Sequence, residues 1–261
     1  MYGVNPYYVN RDYVFLAVLA FFLLVPSVFR HLIFLLTCLG LSGLAISAAE
    51  PEATKRDLPR LKPTEPADAL GTFTLKHGFR LELAAAEPLV ADPVAMAFDE
   101  NSRLFVIEMI GYSEHRDDKL GQVRLLEDTD GDGRFDRSTI FASDLAWPTA
   151  IVCYDGGVFV LAPPALHYFK DTTGDSVADG HRVVFSGFGR DNVQSVANNL
   201  KWGLDNRITL AAGRNPGQLL QGKKPVLTLG GKDLSFDPRT LDVRALTGGV
   251  QFGNSFDPWG N

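Results

Sequence analysis

The 261-residue chain contains little cysteine. Cys38 lies in an apolar N-terminal stretch and Cys153 lies in the body, and there are no others. The body therefore has a single thiol, which excludes an internal disulfide there. The apolar run around Cys153 favours a buried core residue. No Cys-x-x-Cys-His motif is present, so this chain has no attachment motif for a c-type haem.

Basic runs and enzyme motifs are also missing. The net charge is -6, and Lys223-Lys224 is the longest basic cluster in the body, which argues against a nucleic-acid partner. We find no nucleophile elbow, phosphate loop, paired-carboxylate site or long amphipathic helix in the body. The composition instead combines 46% hydrophobic residues with 25 Gly, 15 Pro and 18 Phe. These proportions are typical of a globular, turn-rich β protein.

Two apolar stretches precede the body. Tyr13–Phe29 is near the lower length limit for a membrane span. Leu32–Ala49 follows Arg30 and ends in small residues, which is typical of a secretory signal cleaved after Ala49. We therefore predict a signal peptide or membrane anchor over residues 1–49. The protein is expected to be exported, either periplasmic or attached to a membrane through this leader.

A proline-rich linker and one folded domain are predicted after the leader. Residues 50–70 combine four prolines with many charges, which predicts an extended spacer. Residues 71–261 form the predicted domain. Near its start, Phe79, Leu81 and Leu83 alternate with charged residues, which predicts a half-buried strand.

The domain contains a repeated pattern of an apolar strand, an Asp-led tight turn and a second apolar strand. The turns begin at Asp99, Asp155 and Asp205. Two more strands follow each hairpin, joined in the first two units by an acidic loop and in the third by Asp237–Thr240. Four short strands in roughly 40–50 residues is the period of a β-propeller. We therefore predict an all-β fold, with a propeller favoured over a solenoid or a sandwich.

The first acidic loop, Asp128–Asp136, has the alternating acids and the central Gly of a calcium loop. Its candidate ligands are the side chains of Asp128, Asp130, Asp132 and Asp136 and the carbonyl of Arg134. Thr139 occupies the position of the final Glu of an EF-hand, and the flanks are strands, so the loop is not an EF-hand. The alternative is a metal-free Asx turn between two strands.

The second acidic loop, Asp171–Asp179, is a weaker copy of the first. Its candidate calcium ligands are Asp171, Thr173, Asp175 and Asp179. Thr173 replaces one acid, and Ser176 replaces the central Gly. Both changes make calcium a weaker expectation here than in the first loop.

Several segments resemble a known family. They are Val123–Asp136, Trp147–Thr149, Gly156–Val160, Leu200–Asn206 and Gln251–Asn261. Together they resemble the N-terminal propeller of the membrane-bound dehydrogenase family, whose propeller is similar to that of soluble quinoprotein glucose/sorbosone dehydrogenases. The resemblance covers about Phe73–Asn261 and implies a six-bladed ring, of which we expect about three to four blades here. Its implied partners are downstream blades or a cytochrome domain, a small sugar or alcohol, and pyrroloquinoline quinone.

The resemblance also implies a catalytic His that acts as general base. That position falls on Ser195, beside Gln194, and neither side chain takes up a proton at a useful pKa. Arg214–Gln218 partly matches the quinone-binding motif of those enzymes, but the order of Gly and Gln is exchanged in this sequence. We therefore expect an exported domain of a quinoprotein-type sugar or alcohol dehydrogenase that is inactive as this fragment. The alternative is a non-catalytic, extracytoplasmic propeller that binds a carbohydrate or a protein.

Few other residues are candidates for a ligand site. Glu114, His115 and Arg116 lie in a polar insertion that could contact a sugar-like ligand, or could be a solvated loop. The remaining body histidines, His77, His167 and His181, lack metal-ligand spacing. We predict that these three are surface or strand residues.

Overall fold

The computed structural model describes residues 62–259. The leader prediction for residues 1–49 and most of the predicted linker lie outside this range. At the end of the linker, a short exposed helix α1 (Pro66–Ala69) continues into a 3-10 turn (Leu70–Thr72). Within the described range, no helix is long and apolar enough to cross a membrane.

The domain is built from antiparallel sheets, as predicted. The first sheet contains β1 (Pro93–Phe98), β2 (Leu104–Glu108), β3 (Gly121–Glu127) and β4 (Arg137–Leu145). The second sheet begins with β5 (Ala150–Tyr154), β6 (Gly157–Ala162), β7 (Ala165–Lys170) and β8 (Gly180–Ser186). Then follow β9 (Asn198–Trp202), β10 (Ile208–Ala211), β11 (Gln218–Gln221), β12 (Lys224–Thr228), β13 (Lys232–Phe236) and β14 (Val243–Thr247). Two further 3-10 turns span Arg116–Asp118 and Val193–Ser195.

We refer to the meander β1–β4 as blade 1, to β5–β8 as blade 2 and to β9, β10, β13 and β14 as blade 3. Within each blade, strands pair with their sequence neighbours, except where β13 follows β10 across an inserted hairpin. The first strand of blade 2, β5, packs against β1 on one side and β9 on the other. Adjacent first strands are typical of a propeller. The prediction of an all-β fold is therefore confirmed, and the arrangement is consistent with a propeller.

The core lies between neighbouring blades. Between blades 1 and 2, Phe105 meets Phe141 edge to face with ring centroids 4.9 Å apart. Between blades 2 and 3, the ring of Phe236 lies 5.3 Å from Phe159 and 5.6 Å from Phe185. Each fully buried aromatic or aliphatic side chain contributes about 1.5–3 kcal/mol to folding.

Cys153 is half-buried against the core between blades 1 and 2, and burial raises its thiol pKa to about 12.

The hairpin β11–β12 was not predicted from the sequence. The chain leaves blade 3 after β10, forms this hairpin at the outer edge of blade 2, and returns as β13. Strand β11 joins β8 through the pair Leu220↔Ser186. The buried side chains of Leu219 and Leu229 belong to the core that blades 2 and 3 share. The hairpin therefore joins two blades through both backbone pairing and packing.

The strand predicted around Phe79–Leu83 is wrong. These residues are irregular, and 72% of Phe79 is exposed. The alternation of apolar and charged residues resembles a strand, but a strand also needs a hydrogen-bonded neighbour. In the described part of the chain, no strand pairs with this segment.

Candidate functional site

The loops between strands divide between two ends of the blades. Because successive strands are antiparallel, the β1–β2, β3–β4 and equivalent turns lie at one end, which we call the acidic end. The other connections, including residues 109–120, 146–149 and 187–197, lie at the opposite end, which we call the polar end. Both predicted calcium loops therefore lie at the acidic end. Ser195 and the polar insertion lie at the polar end.

The first acidic loop is held by hydrogen bonds within the loop. The carboxylate of Asp128 accepts from the backbone N–H of Gly131 at 2.7 Å and of Gly133 at 2.9 Å. The backbone N–H and hydroxyl of Thr129 donate to Asp136 at 3.2 and 2.7 Å. The bonds from Gly133, first, and from Gly131 lower the pKa of Asp128. The loop is thus closed by Asx turns to its own backbone N–H groups.

The second acidic loop repeats this network at equivalent positions. Asp171 accepts from the N–H of Gly174 at 2.6 Å and of Ser176 at 2.9 Å. Thr172 donates to Asp179 through its N–H at 2.7 Å and its hydroxyl at 2.6 Å. Ser176 replaces the second glycine of the first loop but keeps a positive φ of 69°. The two loops are therefore structural copies, as the repeat in the sequence predicted.

The loops differ in how their candidate metal ligands converge. Carboxylate oxygens of Asp128, Asp130 and Asp136 lie within 4.8 Å of one another, a donor set that suits Ca²⁺. Asp132 is not part of this group, and its carboxylate instead accepts from the N–H of Arg134 at 2.8 Å.

The predicted ligands of the second loop are not brought together in the same way. The side chains of Asp171, Thr173, Asp175 and Asp179 form no comparable acidic group within residues 62–259. Instead, Thr173 donates to Asp171, and Asp175 accepts from the N–H of Val177 at 3.0 Å. The geometry thus gives only the first loop a convergent set of acidic oxygens.

Blade 3 replaces the acidic loop with an internal ion pair. Asp237 accepts from the backbone N–H of Arg239 at 2.8 Å and from its guanidinium at 3.0 and 3.2 Å. The Arg239 side chain is the main reason that the pKa of Asp237 falls to about 2. Here a guanidinium provides the positive charge that a cation would provide in the first loop.

At the polar end, the insertion of blade 1 reaches the connection between blades 2 and 3. The Arg116 guanidinium lies 5.6 Å from the centre of the Trp147 ring and donates to the carbonyl of Arg190 at 3.5 Å. Arg190 in turn contacts Asp117 at 3.4 Å. Three residues of this insertion were candidates for contacting a ligand. One of them, Arg116, instead holds the loop through its contacts with Trp147 and Arg190. Glu114 and His115 remain exposed.

A cleft of about 460 Å³ lies beside this insertion. It is lined by Asp92, Pro93, Val94, Met109, Gly111 and Tyr112. About half of Tyr112 is exposed, and its ring centre lies 6.3 Å from that of Trp147. The cleft therefore combines an aromatic ring with one carboxylate.

Glu108 supports the wall of the cleft and was missed by the sequence reasoning. Its side chain is fully buried and accepts from the N–H of Ala91 at 2.7 Å, from Gln122 Nε2 at 2.5 Å and from Arg124 Nε at 3.3 Å. The next residue, Met109, donates its N–H to the carbonyl of Asp92 at 3.2 Å. One sequence feature could have indicated a buried acid here, because Glu108 directly follows the apolar run Leu104–Ile107.

Ser195 lies at the polar end and is buried in a 3-10 turn. Its carbonyl accepts from the N–H groups of Arg214 and Asn215 at 3.0 and 3.4 Å. The Asn215 amide pairs with the backbone of Asn192, accepting at 2.9 Å and donating at 2.8 Å. The buried side chain of Asn215 therefore joins two loop segments and does not face a ligand. Within Arg214–Gln218, the partial match to the quinone-binding motif, the Asn215 amide is thus occupied by protein backbone.

These features define an all-β domain of propeller type, with a small cleft at the polar end and paired Asp loops at the acidic end. Residues 65–261 match a family described as a domain of unknown function, DUF7133, and the chain belongs to that family. None of the curated proteins compared with the chain matches it.

Among solved structures, the chain is similar to a protein from Lactobacillus plantarum. The match has 12% identity, a TM-score of 0.33, and covers 59% of this chain and 55% of that protein. The chain therefore spans little more than half the length of that protein.

Proposed function

We propose that this domain is a non-catalytic, extracytoplasmic binding module that takes a small carbohydrate or polyol at its polar end. The observation that carries the proposal is the cleft beside Tyr112. Its volume of about 460 Å³ is within the usual range for small-ligand sites. Export is supported by the sequence pattern of the leader.

The groups around the cleft match the chemistry of a sugar. The exposed ring of Tyr112 suits the apolar C–H face of a pyranose, and Asp92 can accept hydrogen bonds from hydroxyl groups. Glu114, in the same insertion as Tyr112, accepts from the N–H and hydroxyl of Ser113 at 2.9 and 3.0 Å. These bonds lower the pKa of Glu114, so it is ionised and acceptor-only at neutral pH.

Two features of the polar end argue against the quinone chemistry that the resemblance implies. The position of the expected base holds a buried Ser195, which has no basic group. In addition, the amide of Asn215 is occupied by the backbone of Asn192. Binding without catalysis therefore agrees better with these residues.

The binding proposal can be tested by calorimetry of the full chain with a panel of mono- and disaccharides. We expect at least one sugar to bind, and Tyr112→Ala to weaken that binding by about tenfold, since one stacking contact is lost. Phe79→Ala is the matched control, because Phe79 is an exposed aromatic outside the polar-end loops. No binding by the wild-type chain at millimolar sugar would contradict the proposal.

One observation favours a second candidate, a sugar or alcohol dehydrogenase. His115 Nδ1 lies 2.9 Å from a carboxylate oxygen of Asp118 at the polar end, an arrangement that can orient a general base. The measurement is sugar-driven dye reduction after quinone reconstitution, with the chain alone and with its implied downstream blades or cytochrome domain. Activity lost in His115→Gln would support this candidate. No activity in either form, and none gained by Ser195→His, would reject it.

For the acidic end, we propose a weak Ca²⁺ site at Asp128, Asp130 and Asp136. The support is the convergence of their carboxylate oxygens. Such a cation would stabilise the β3–β4 connection and would take no part in ligand binding, because it lies at the opposite end from the cleft. We propose no equivalent site in the second loop.

A further inference from the structure

Two of the histidines that lack metal-ligand spacing in the sequence meet on blade 2. Strands β7 and β8 pair in a register that sets His167 opposite Val183 and His181 opposite Phe169. The two histidines are therefore diagonal neighbours on one face of the sheet. Nδ1 of His167 lies 3.0 Å from Nε2 of His181.

From this geometry we propose that His167 and His181 form a two-histidine site for a divalent transition metal, with Cu²⁺ preferred over Ni²⁺ and Zn²⁺. Metal–imidazole bonds are about 2.0–2.1 Å long, so two adjacent nitrogens on a square-planar ion such as Cu²⁺ are about 2.9 Å apart. The observed separation of 3.0 Å is close to that value.

The two rings are held in place before any metal binds. The ring of His181 stacks on Phe169 with centroids 4.5 Å apart and planes 12° apart. His167 stacks on the other imidazole at 5.2 Å and lies 5.7 Å from the Phe169 ring. Since the side chains are already ordered by these contacts, less conformational entropy is lost when both coordinate one ion.

The facing nitrogen of His167 can be available as a ligand at neutral pH. Burial, with a smaller effect of His181, lowers the pKa of His167 to about 4, so its ring is neutral. In the free protein, the hydrogen bond between the rings places one proton between the two facing nitrogens. A metal takes the place of this proton when the ring that carries it changes tautomer and bears its N–H on the other nitrogen.

The chemistry of this site differs from that of the acidic loop. Imidazole nitrogens favour Cu²⁺, Ni²⁺ and Zn²⁺, and affinity for such sites is highest for Cu²⁺, whereas carboxylates favour Ca²⁺. Within residues 62–259, neither imidazole of the pair forms an ion pair with a carboxylate. The remaining coordination positions would be filled by water.

The test is titration of the untagged full chain with CuSO4, NiCl2 and ZnCl2 by calorimetry, together with electron paramagnetic resonance of the copper form. We expect one bound Cu²⁺ per chain with nitrogen hyperfine structure. His167→Asn and His181→Asn should each weaken binding by about tenfold or more, because each removes one chelating ligand. His77→Asn is the control, since His77 is exposed and outside the pair.

Thermal melting in the absence of metal would show whether each variant is folded. If either variant is unfolded, the nitrogen hyperfine pattern of the wild-type protein, with and without excess Ca²⁺, decides the question. Nitrogen ligation that persists in excess Ca²⁺ supports the pair. An oxygen-only spectrum would overturn the proposal, as would equal losses in the His77 variant and the pair variants.

Discussion

Replacing Glu108 by Ala tests whether one buried carboxylate holds the wall of the cleft. The substitution leaves the N–H of Ala91 and the side chains of Gln122 and Arg124 without their shared acceptor. Removing one partner of a buried ion pair costs about 3–5 kcal/mol. The Arg124 side chain is 22% exposed, so water recovers part of this loss. We therefore expect the lower value, about 3 kcal/mol.

The assay is urea unfolding, supported by thermal melting. A loss of about 3 kcal/mol corresponds to a fall of roughly 6–12 °C in Tm for a domain of this size. Because Ala91 adjoins Asp92 in the cleft wall, sugar binding should weaken in the same variant. Glu108→Gln keeps an acceptor in the same place and should lose less stability than Glu108→Ala.

Glu127→Ala is the matched control. Glu127 also pairs with an arginine in blade 1, but that partner, Arg137, is 56% exposed. Exposed pairs contribute about 0–1 kcal/mol, so this variant should remain close to wild type. If the two alanine variants lost equal stability, or if Glu108→Ala lost less than about 1 kcal/mol, the assigned role of Glu108 would be refuted.

Three other results are expected. Leu219→Ala should destabilise the domain by about 2–5 kcal/mol in urea, because a fully buried leucine is truncated, while the exposed Leu204→Ala should stay within about 0.5 kcal/mol of wild type. Millimolar Ca²⁺ should raise the Tm of the wild type but not of Asp128→Asn, and an unchanged wild-type Tm would reject the Ca²⁺ site. The folded pKa of His167, about 4, is below its unfolded value near 6.5, so folding stability should fall as the pH drops through this window. Allowing for solvent screening, the free energy of unfolding should fall by about 1–2 kcal/mol between pH 7 and pH 5. The His167→Asn variant should lose less stability over this range. Parallel plots of stability against pH for the wild type and the variant would contradict this assignment.

The blade pattern could be predicted from the sequence because its signals are local. An Asp-led turn between two apolar runs specifies a hairpin, and the acidic loops are closed by their own backbone N–H groups. The hairpin β11–β12 gave no comparable signal. Its place at the edge of blade 2 depends on pairing with β8, which is a tertiary contact. Phe79 shows the opposite case. The alternation around it predicted a strand, but among the described residues no strand pairs with this segment, and Phe79 is exposed.

The candidate site was predictable only in part, for a similar reason. The convergence of Asp128, Asp130 and Asp136 follows from their spacing within one loop. The cleft beside Tyr112 and the buried Glu108 depend on how the polar insertion folds back on β1 and β2. The contact between His167 and His181 depends on strand register, which no short spacing rule describes.

The hairpin β11–β12 has a consequence for the order in which the chain folds as it emerges N-terminus first. Blade 1 has all of its strands once residue 145 has emerged. Blade 2 has its four meander strands after residue 186, but its outer edge stays uncovered until β11 and β12 follow β10. An uncovered edge can pair with another nascent chain, so this interval is the stage at which aggregation is most expected. Blades 2 and 3 should therefore become protease-resistant together, after blade 1.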